Sequence, residues 1–240
     1  MAEQRAVLVT GASSGIGRVI ALRFGAAGWK VAINARRQAR LNEVAKAITV
    51  AGGEAFVAPD NLTEFGAHER VVNDTLEHLG RLDVLVNNAG MGRFEAVEAV
   101  QDDSYDDQFK LNVWAPLAMV RAVVPHFKQA GGGQIINIGS IVGYVGIAEG
   151  SVYSASKWAL RGLNECWREE LYPHNIKVAY VAPGFVLSEF NGRTEAPASN
   201  PDASWAMVPD DVAHAVLCIA TQGPNSDIRE IVLQVRDRSP

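Results

Sequence analysis

Short β-branched runs alternate with longer stretches of helical period along almost the whole chain. Few folds accept that rhythm. The runs cover residues 6–10, 30–34, 54–58, 82–86, 134–138, 177–181 and 230–235. Helical stretches fall between them at 16–27, 38–50, 67–79, 103–129, 153–171 and 210–221. Glycines punctuate the ends, among them Gly28, Gly52, Gly53, Gly80 and Gly131. Strands joined through helices are parallel, because a parallel pair needs a long crossover. The runs also alternate little: Val7, Leu8 and Val9 are continuous, as are Ile135 and Ile136. Strands covered on both faces look like that. The expectation is an α/β fold, a doubly wound Rossmann-type sheet of seven parallel strands with helices on both faces. The expected strand order is 3-2-1-4-5-6-7, in one domain over residues 1–240. One irregular stretch, 185–208, holds Gly192, Pro197 and Pro201 and reads as a substrate loop.

Composition excludes several classes. Hydrophobic residues make up 48% of the chain and charged residues 20%, which suffices for a core. The net charge is −5 and no basic stripe is visible, which argues against a nucleic-acid partner. No apolar run approaches the roughly 18–20 residues of a membrane helix, and the start of the chain does not read as a secretory signal. Cys166 and Cys218 stand far apart in no ligand spacing, so they read as ordinary buried thiols of a cytoplasmic protein. Asp102, Asp103, Asp106 and Asp107 read as the acidic opening of a helix, and the five histidines show no ligand spacing. No metal site is expected.

The chemistry collects at strand ends. The first run passes into Thr10, Gly11, Ala12, Ser13, Ser14, Gly15, Ile16 and Gly17. Glycines there permit a tight turn, and the next helix presents free N–H groups and a positive dipole end to a phosphate. The second run ends in Asn34, Ala35, Arg36 and Arg37. It lacks the acid that bonds the ribose 2′-hydroxyl of NAD, while two guanidiniums suit a 2′-phosphate. NADP(H) is therefore the expected cofactor. Tyr153 and Lys157 lie four residues apart, on one face of a helix. A lysine cation nearby is expected to lower the phenol's pKa and fit it for proton transfer at a carbonyl. Ser140 ends the fifth run, Asn87 to Gly90 follow the fourth, and Pro183 and Gly184 follow the sixth. In an open sheet, ligands bind at these carboxyl ends. Arg93, on the same edge, reads as a solvated arginine or as a partner for a substrate carboxylate.

These motifs, in this order, resemble the short-chain dehydrogenase/reductase family in its large single-domain branch, over residues 5–235. TGxxxGIG is Thr10–Gly17, NNAG is Asn87–Gly90, and YxxxK is Tyr153–Lys157. Ser140 precedes Tyr153 by 13 positions, the family's usual spacing. The resemblance implies a catalytic set of Asn112, Ser140, Tyr153 and Lys157. Asn112 distorts the long helix and holds a water linking the lysine to solvent. Gly11, Ser13, Ser14, Gly15, Ile16 and Gly17 take the pyrophosphate side, and Arg36 and Arg37 the 2′-phosphate. Asn61 and Leu62 flank the adenine, although the family has Asp at the first of these and Asp60 stands one position early. Asn88, Ala89 and Gly90 lie by the adenine ribose. Tyr153, Lys157, Pro183, Gly184, Val186 and Ser188 lie by the nicotinamide and its ribose. Ser140, Tyr144, Tyr153 and Phe185 face the substrate, with Trp205 a further candidate. The tail from Glu230 lacks the glycine-rich ending of ketoacyl-carrier-protein reductases. The implied activity is NADP(H)-dependent interconversion of a carbonyl and a secondary alcohol on a small molecule. The alternatives are a cofactor-binding sensor without turnover and an NAD(H)-dependent enzyme of the same fold. The family also implies a homodimer or homotetramer, paired through the 103–129 and 153–171 helices.

Overall fold

The computed structural model describes residues 4–190, 206–223 and 225–236. Most of the irregular stretch, including Trp205, lies outside them. Seven strands form one sheet in the order β3-β2-β1-β4-β5-β6-β7. They are β1 (Ala6–Thr10), β2 (Lys30–Ala35), β3 (Glu54–Pro59), β4 (Val84–Asn87), β5 (Gly133–Ile138), β6 (Ile176–Pro183) and β7 (Glu230–Leu233). Every neighbouring pair is parallel. The helices are α1 (Gly15–Ala26), α2 (Gln38–Val50), α3 (Ala67–Leu79), α4 (Asp102–Phe109), α5 (Ala115–Gln129), α6 (Ser151–Leu171) and α7 (Pro209–Ala220). The long helix expected at 103–129 is thus α4 and α5, joined by a π-helical turn over Lys110–Trp114. None of the helices among the described residues is long and apolar enough to cross a membrane.

The strand period sorts the apolar residues into two cores. Ala6 and Leu8 of β1 point to one side, with Val72 of α3, Met119 of α5 and Leu160 of α6. Val7 and Val9 point to the other, with Phe24 of α1, Ile48 of α2 and Val216 of α7. Successive side chains of a strand alternate faces, so a continuous apolar run feeds both layers. Each fully buried Val, Leu or Phe contributes about 1.5–3 kcal/mol against exposure. The sheet reverses its winding at β1, which pairs with β2 on one side and β4 on the other. A crevice opens at such a switch, outside the carboxyl ends of the strands.

The two cysteines correct one expectation: Cys166 and Cys218 are both exposed. Each sits on the outer face of an amphipathic helix, where a small thiol costs little. His68 is buried, its Nε2 2.9 Å from the Leu62 carbonyl oxygen.

Gly139 sets the end of β5. A Cβ there would lie 1.9 Å from Cζ of Tyr180, whose ring is fully buried and whose hydroxyl donates to the Lys157 carbonyl (3.3 Å). The ring has nowhere to go. Gly139→Ala is expected to cost about 1–3 kcal/mol, the usual penalty of overpacking, read as a lower urea midpoint. An unchanged midpoint would show that the ring can yield.

Candidate active site

The crevice is a cleft of about 1710 Å³. That exceeds the roughly 300–1,000 Å³ of an ordinary small-molecule pocket. Its floor is the glycine-rich turn between β1 and α1. Gly11 and Gly15 take left-handed conformations, with φ of 67° and 53°. The glycines also admit the neighbouring strand end. A Cβ on Gly11 would stand 2.8 Å from Cα of Ala89, and one on Gly17 2.3 Å from Nδ2 of Asn88. Thr10 completes the join. Its Oγ1 donates to the Val86 carbonyl (3.2 Å) and accepts from the backbone N–H groups of Asn88 (3.0 Å) and Ala89 (3.1 Å). Asn88 is turned inward, donating to the Thr10 carbonyl at 2.9 Å. Gly17 supports this wall and does not line the cleft, whereas Gly11, Ser13, Ser14, Gly15 and Ile16 do. Ser14 precedes the helix without capping it, so the first N–H groups of α1 remain available.

The cationic wall follows β2. Asn34 is buried and donates to the Ala58 carbonyl at 2.9 Å, which ties the end of β2 to β3. Arg36 is exposed on the cleft and has no polar partner among the described residues. Arg37 reaches back to the turn and donates to the hydroxyls of Ser13 (3.0 Å) and Ser14 (2.9 Å). One guanidinium is therefore tied to two serine hydroxyls, and Arg36 lines the same cleft. Asp60, Asn61 and Leu62 form the adjoining wall. Arg70 binds Asp60 through two bonds (2.9 and 3.1 Å), and Asn61 folds its Oδ1 onto the N–H of Thr63 at 3.3 Å. Asp60 is thus tied to α3, and Asn61 is engaged within its own loop.

At the other end, α6 carries Tyr153, Ser156 and Lys157, all buried. Lys157 Nζ donates to the Ile138 carbonyl at 3.1 Å and stands 5.9 Å from the centre of the Tyr153 ring. Asn112 sits in the π-helical turn, a feature that re-aims side chains at functional sites. Its Oδ1 accepts from the Met91 N–H (2.9 Å), and its Nδ2 donates to the Met91 carbonyl (2.8 Å) and Ser156 Oγ (3.0 Å). Asn112 therefore clamps the loop after β4 to α6 from behind the cleft. A Cβ on Gly90 would lie 3.2 Å from Asn112 Oδ1, so only glycine passes there comfortably. Ser140 caps the turn after β5, accepting from the Val142 N–H at 3.3 Å.

Electrostatics overturn one expectation. Burial pushes the Tyr153 phenol up to about 12, against a smaller lowering from its hydrogen bond with Ser140. Burial likewise pushes Lys157 down to about 8. The sequence reading had the lysine lowering the tyrosine. In this environment desolvation dominates, because both groups sit where charge is poorly solvated. Tyr153 is thus a firm neutral phenol at pH 7.

The model of the short chain dehydrogenase family matches residues 5–198. The chain belongs to the short-chain dehydrogenase family. An uncharacterized oxidoreductase of Thermotoga maritima is 38% identical over 186 residues, which are 77% of this chain and 73% of that protein. A 3-oxoacyl-(acyl-carrier-protein) reductase of Staphylococcus aureus is 33% identical over 186 residues, 77% of this chain and 76% of that protein. Among solved structures, an alcohol dehydrogenase of Thermococcus sibiricus complexed with 5-hydroxy-NADP superposes with a TM-score of 0.91. It is 27% identical, with 99% of each chain covered. A metagenomic short-chain oxidoreductase in complex with NADP superposes with a TM-score of 0.84, at 36% identity and 98% coverage of each chain.

Within this short-chain dehydrogenase, the residues read from the sequence divide. Arg36, Arg37, Asn61, Leu62, Asn88, Ala89, Gly90, Ser140, Tyr153, Lys157, Pro183, Gly184, Phe185, Val186 and Ser188 share the cleft. Gly17 and Asn112 stand behind it. Tyr144 faces elsewhere, which corrects its assignment to the substrate pocket. Its hydroxyl bonds Glu230 of β7, and the Arg161 guanidinium lies over its ring at 4.1 Å. Burial and the Glu230 carboxylate both raise its pKa. Arg93 is not a free cation either, since it pairs with Asp107 at 2.7 Å. A further cleft residue escaped the sequence reading. Arg40 follows Arg37 by one helical turn, a spacing that signals a shared face. Phe94 and Phe190 flank Tyr153, with ring centres 5.5 and 5.7 Å away. Phe190 belongs to the irregular stretch read as the substrate loop.

Proposed function

We propose that this protein is an NADP(H)-dependent oxidoreductase that interconverts a carbonyl and a secondary alcohol on a small molecule. One observation carries the reading. A single cleft holds a buried phenol, lysine and serine at one end and a serine–arginine cradle, with Arg36 uncommitted, at the other. The residues fit a dinucleotide with a 2′-phosphate: a glycine turn at a helix N-terminus for the pyrophosphate, and guanidiniums beside two hydroxyls for the extra phosphate. When bound, the nicotinamide supplies or accepts the hydride. Every other step belongs to side chains. Ser140 orients and polarises the carbonyl oxygen. Tyr153 passes its phenolic proton to that oxygen as the alcohol forms. Lys157 holds the nicotinamide ribose and, as an ammonium, stabilises the phenolate left behind. Asn112 fixes the loop at Met91 against α6 and keeps this group in register. Phe94, Phe190 and Phe185 give the substrate end an aromatic wall. The kinship with proteins solved in complex with NADP and 5-hydroxy-NADP supports the cofactor choice.

The test follows NADPH and NADH absorbance over a panel of ketones, aldehydes and 3-oxo esters, for the wild type and Arg36→Asp. Wild type is expected to turn over a carbonyl faster with NADPH. Losing a charged bond to phosphate and adding repulsion should weaken NADPH use by about tenfold to a hundredfold and raise the relative use of NADH. An unaltered cofactor ratio would remove Arg36 from the phosphate site. No turnover across the panel with either nucleotide would count against the carbonyl chemistry.

A further inference from the structure

The arginine cradle already holds an anion from this chain. Glu189 follows Ser188 in the segment that leaves β6 and crosses the cleft. Its carboxylate pairs with Arg40 and lies 3.7 Å from an Nη1 of Arg37. Contacts on either side place the crossing. Ser188 packs against Gly15, where a Cβ would sit 3.3 Å from that of Ser188, and Phe190 lies beside Tyr153. The Glu189 side chain is only 22% exposed, against 48% for Arg37 and 43% for Arg40. The carboxylate is therefore tucked among the guanidiniums. Arg37 meanwhile keeps its bonds to the hydroxyls of Ser13 and Ser14, the pair that faces the expected 2′-phosphate.

We propose that Glu189 is a built-in competitor for the 2′-phosphate and sets the margin by which this protein prefers NADP(H) over NAD(H). The inference rests on the cofactor reading above. A 2′-phosphate brings nearly two negative charges and draws its affinity from guanidiniums free to meet it. Here Glu189 already neutralises part of Arg37 and Arg40, and Arg36 alone is uncommitted. The phosphate must either displace the carboxylate or sit beside it as a like charge. Both routes cost binding energy. NAD(H) carries a neutral hydroxyl at the same position and meets neither cost. The carboxylate thus narrows a preference that three arginines would otherwise make wide.

Equilibrium titration of wild type and Glu189→Gln with NADPH and with NADH, read by nicotinamide fluorescence without substrate, tests this. Glutamine keeps the size and removes the charge. NADPH is expected to bind about fivefold more tightly to the variant, the scale of one partly exposed charge pair, and NADH within about twofold of wild type. Glu189→Ala should move NADPH in the same direction, and the NADH titration reports that each variant is folded. Weaker NADPH binding in both variants would overturn the proposal, since Glu189 would then be holding the arginines in place for the phosphate. An unchanged ratio of the two affinities would overturn it as well, while leaving the cofactor reading intact. Wild type that binds NADH and not NADPH would overturn the cofactor reading itself and this inference with it.

Discussion

Tyr153→Phe is expected to lower kcat/KM for carbonyl reduction by about 10³-fold, within the usual range for losing a positioned proton donor. The change removes one oxygen and leaves the ring. That ring stays packed between Phe94 and Phe190, so the cleft should keep its shape. Cofactor binding should be nearly unaffected, and so should the urea midpoint. The phenol's pKa sharpens the expectation. With the group pushed up to about 12 by burial, Tyr153 is protonated throughout the neutral range and needs no activation before donating. Lys157, pushed down to about 8, is the group that titrates within reach. The wild-type reduction rate should therefore fall as pH rises through about 8 and the ammonium beside the nascent phenolate is lost. A variant with near-full turnover would show that the proton comes from elsewhere. A pH profile flat through that range would show that the lysine's charge does not assist.

Much of this could be read before any coordinates. The doubly wound architecture was legible because apolar runs without alternation demand two covered faces, and β1 feeds both cores from adjacent residues. The glycine turn, Ser140 and the Tyr153–Lys157 pair were legible because each needs a particular residue type at a particular spacing. What escaped depends on side-chain direction. Tyr144 lies close to Ser140 in sequence, yet Glu230 and Arg161 draw it toward the edge strand, a partnership across 86 residues that spacing cannot reveal. The ion pairing of Glu189 escaped for the same reason, its partners Arg37 and Arg40 lying at the start of α2. The direction of the tyrosine's shift was also illegible. Proximity of a cation is a sequence argument, whereas desolvation depends on how deeply the folded chain buries both groups.

The lysine makes the sharpest demand on the fold, and Lys157→Met exposes it. Turnover should fall by at least about a hundredfold, since the ammonium both holds the cofactor ribose and stabilises charge on Tyr153. Stability should respond in the opposite sense as pH changes. The side chain is buried, and its pKa drops from the ordinary 10.5 to about 8 in the folded protein. Between these values the unfolded chain binds a proton that the folded chain has released. Stability contributed by this group therefore rises with pH across that window. Below about pH 8 the folded protein carries the full cost of a poorly solvated ammonium. Relative to Lys157→Met, the wild type should gain about 3 kcal/mol between pH 8 and 10.5, at about 1.4 kcal/mol per pKa unit. Urea unfolding of both proteins at several pH values measures that difference. Methionine fills a similar volume but leaves the Ile138 carbonyl without its donor, so the offset at any single pH mixes two effects. The slope with pH isolates the charge. A difference that stays flat from pH 8 to 10.5 would mean that Lys157 titrates alike folded and unfolded. A charge of that kind would be solvated, and the cleft would hold its lysine at no cost to stability.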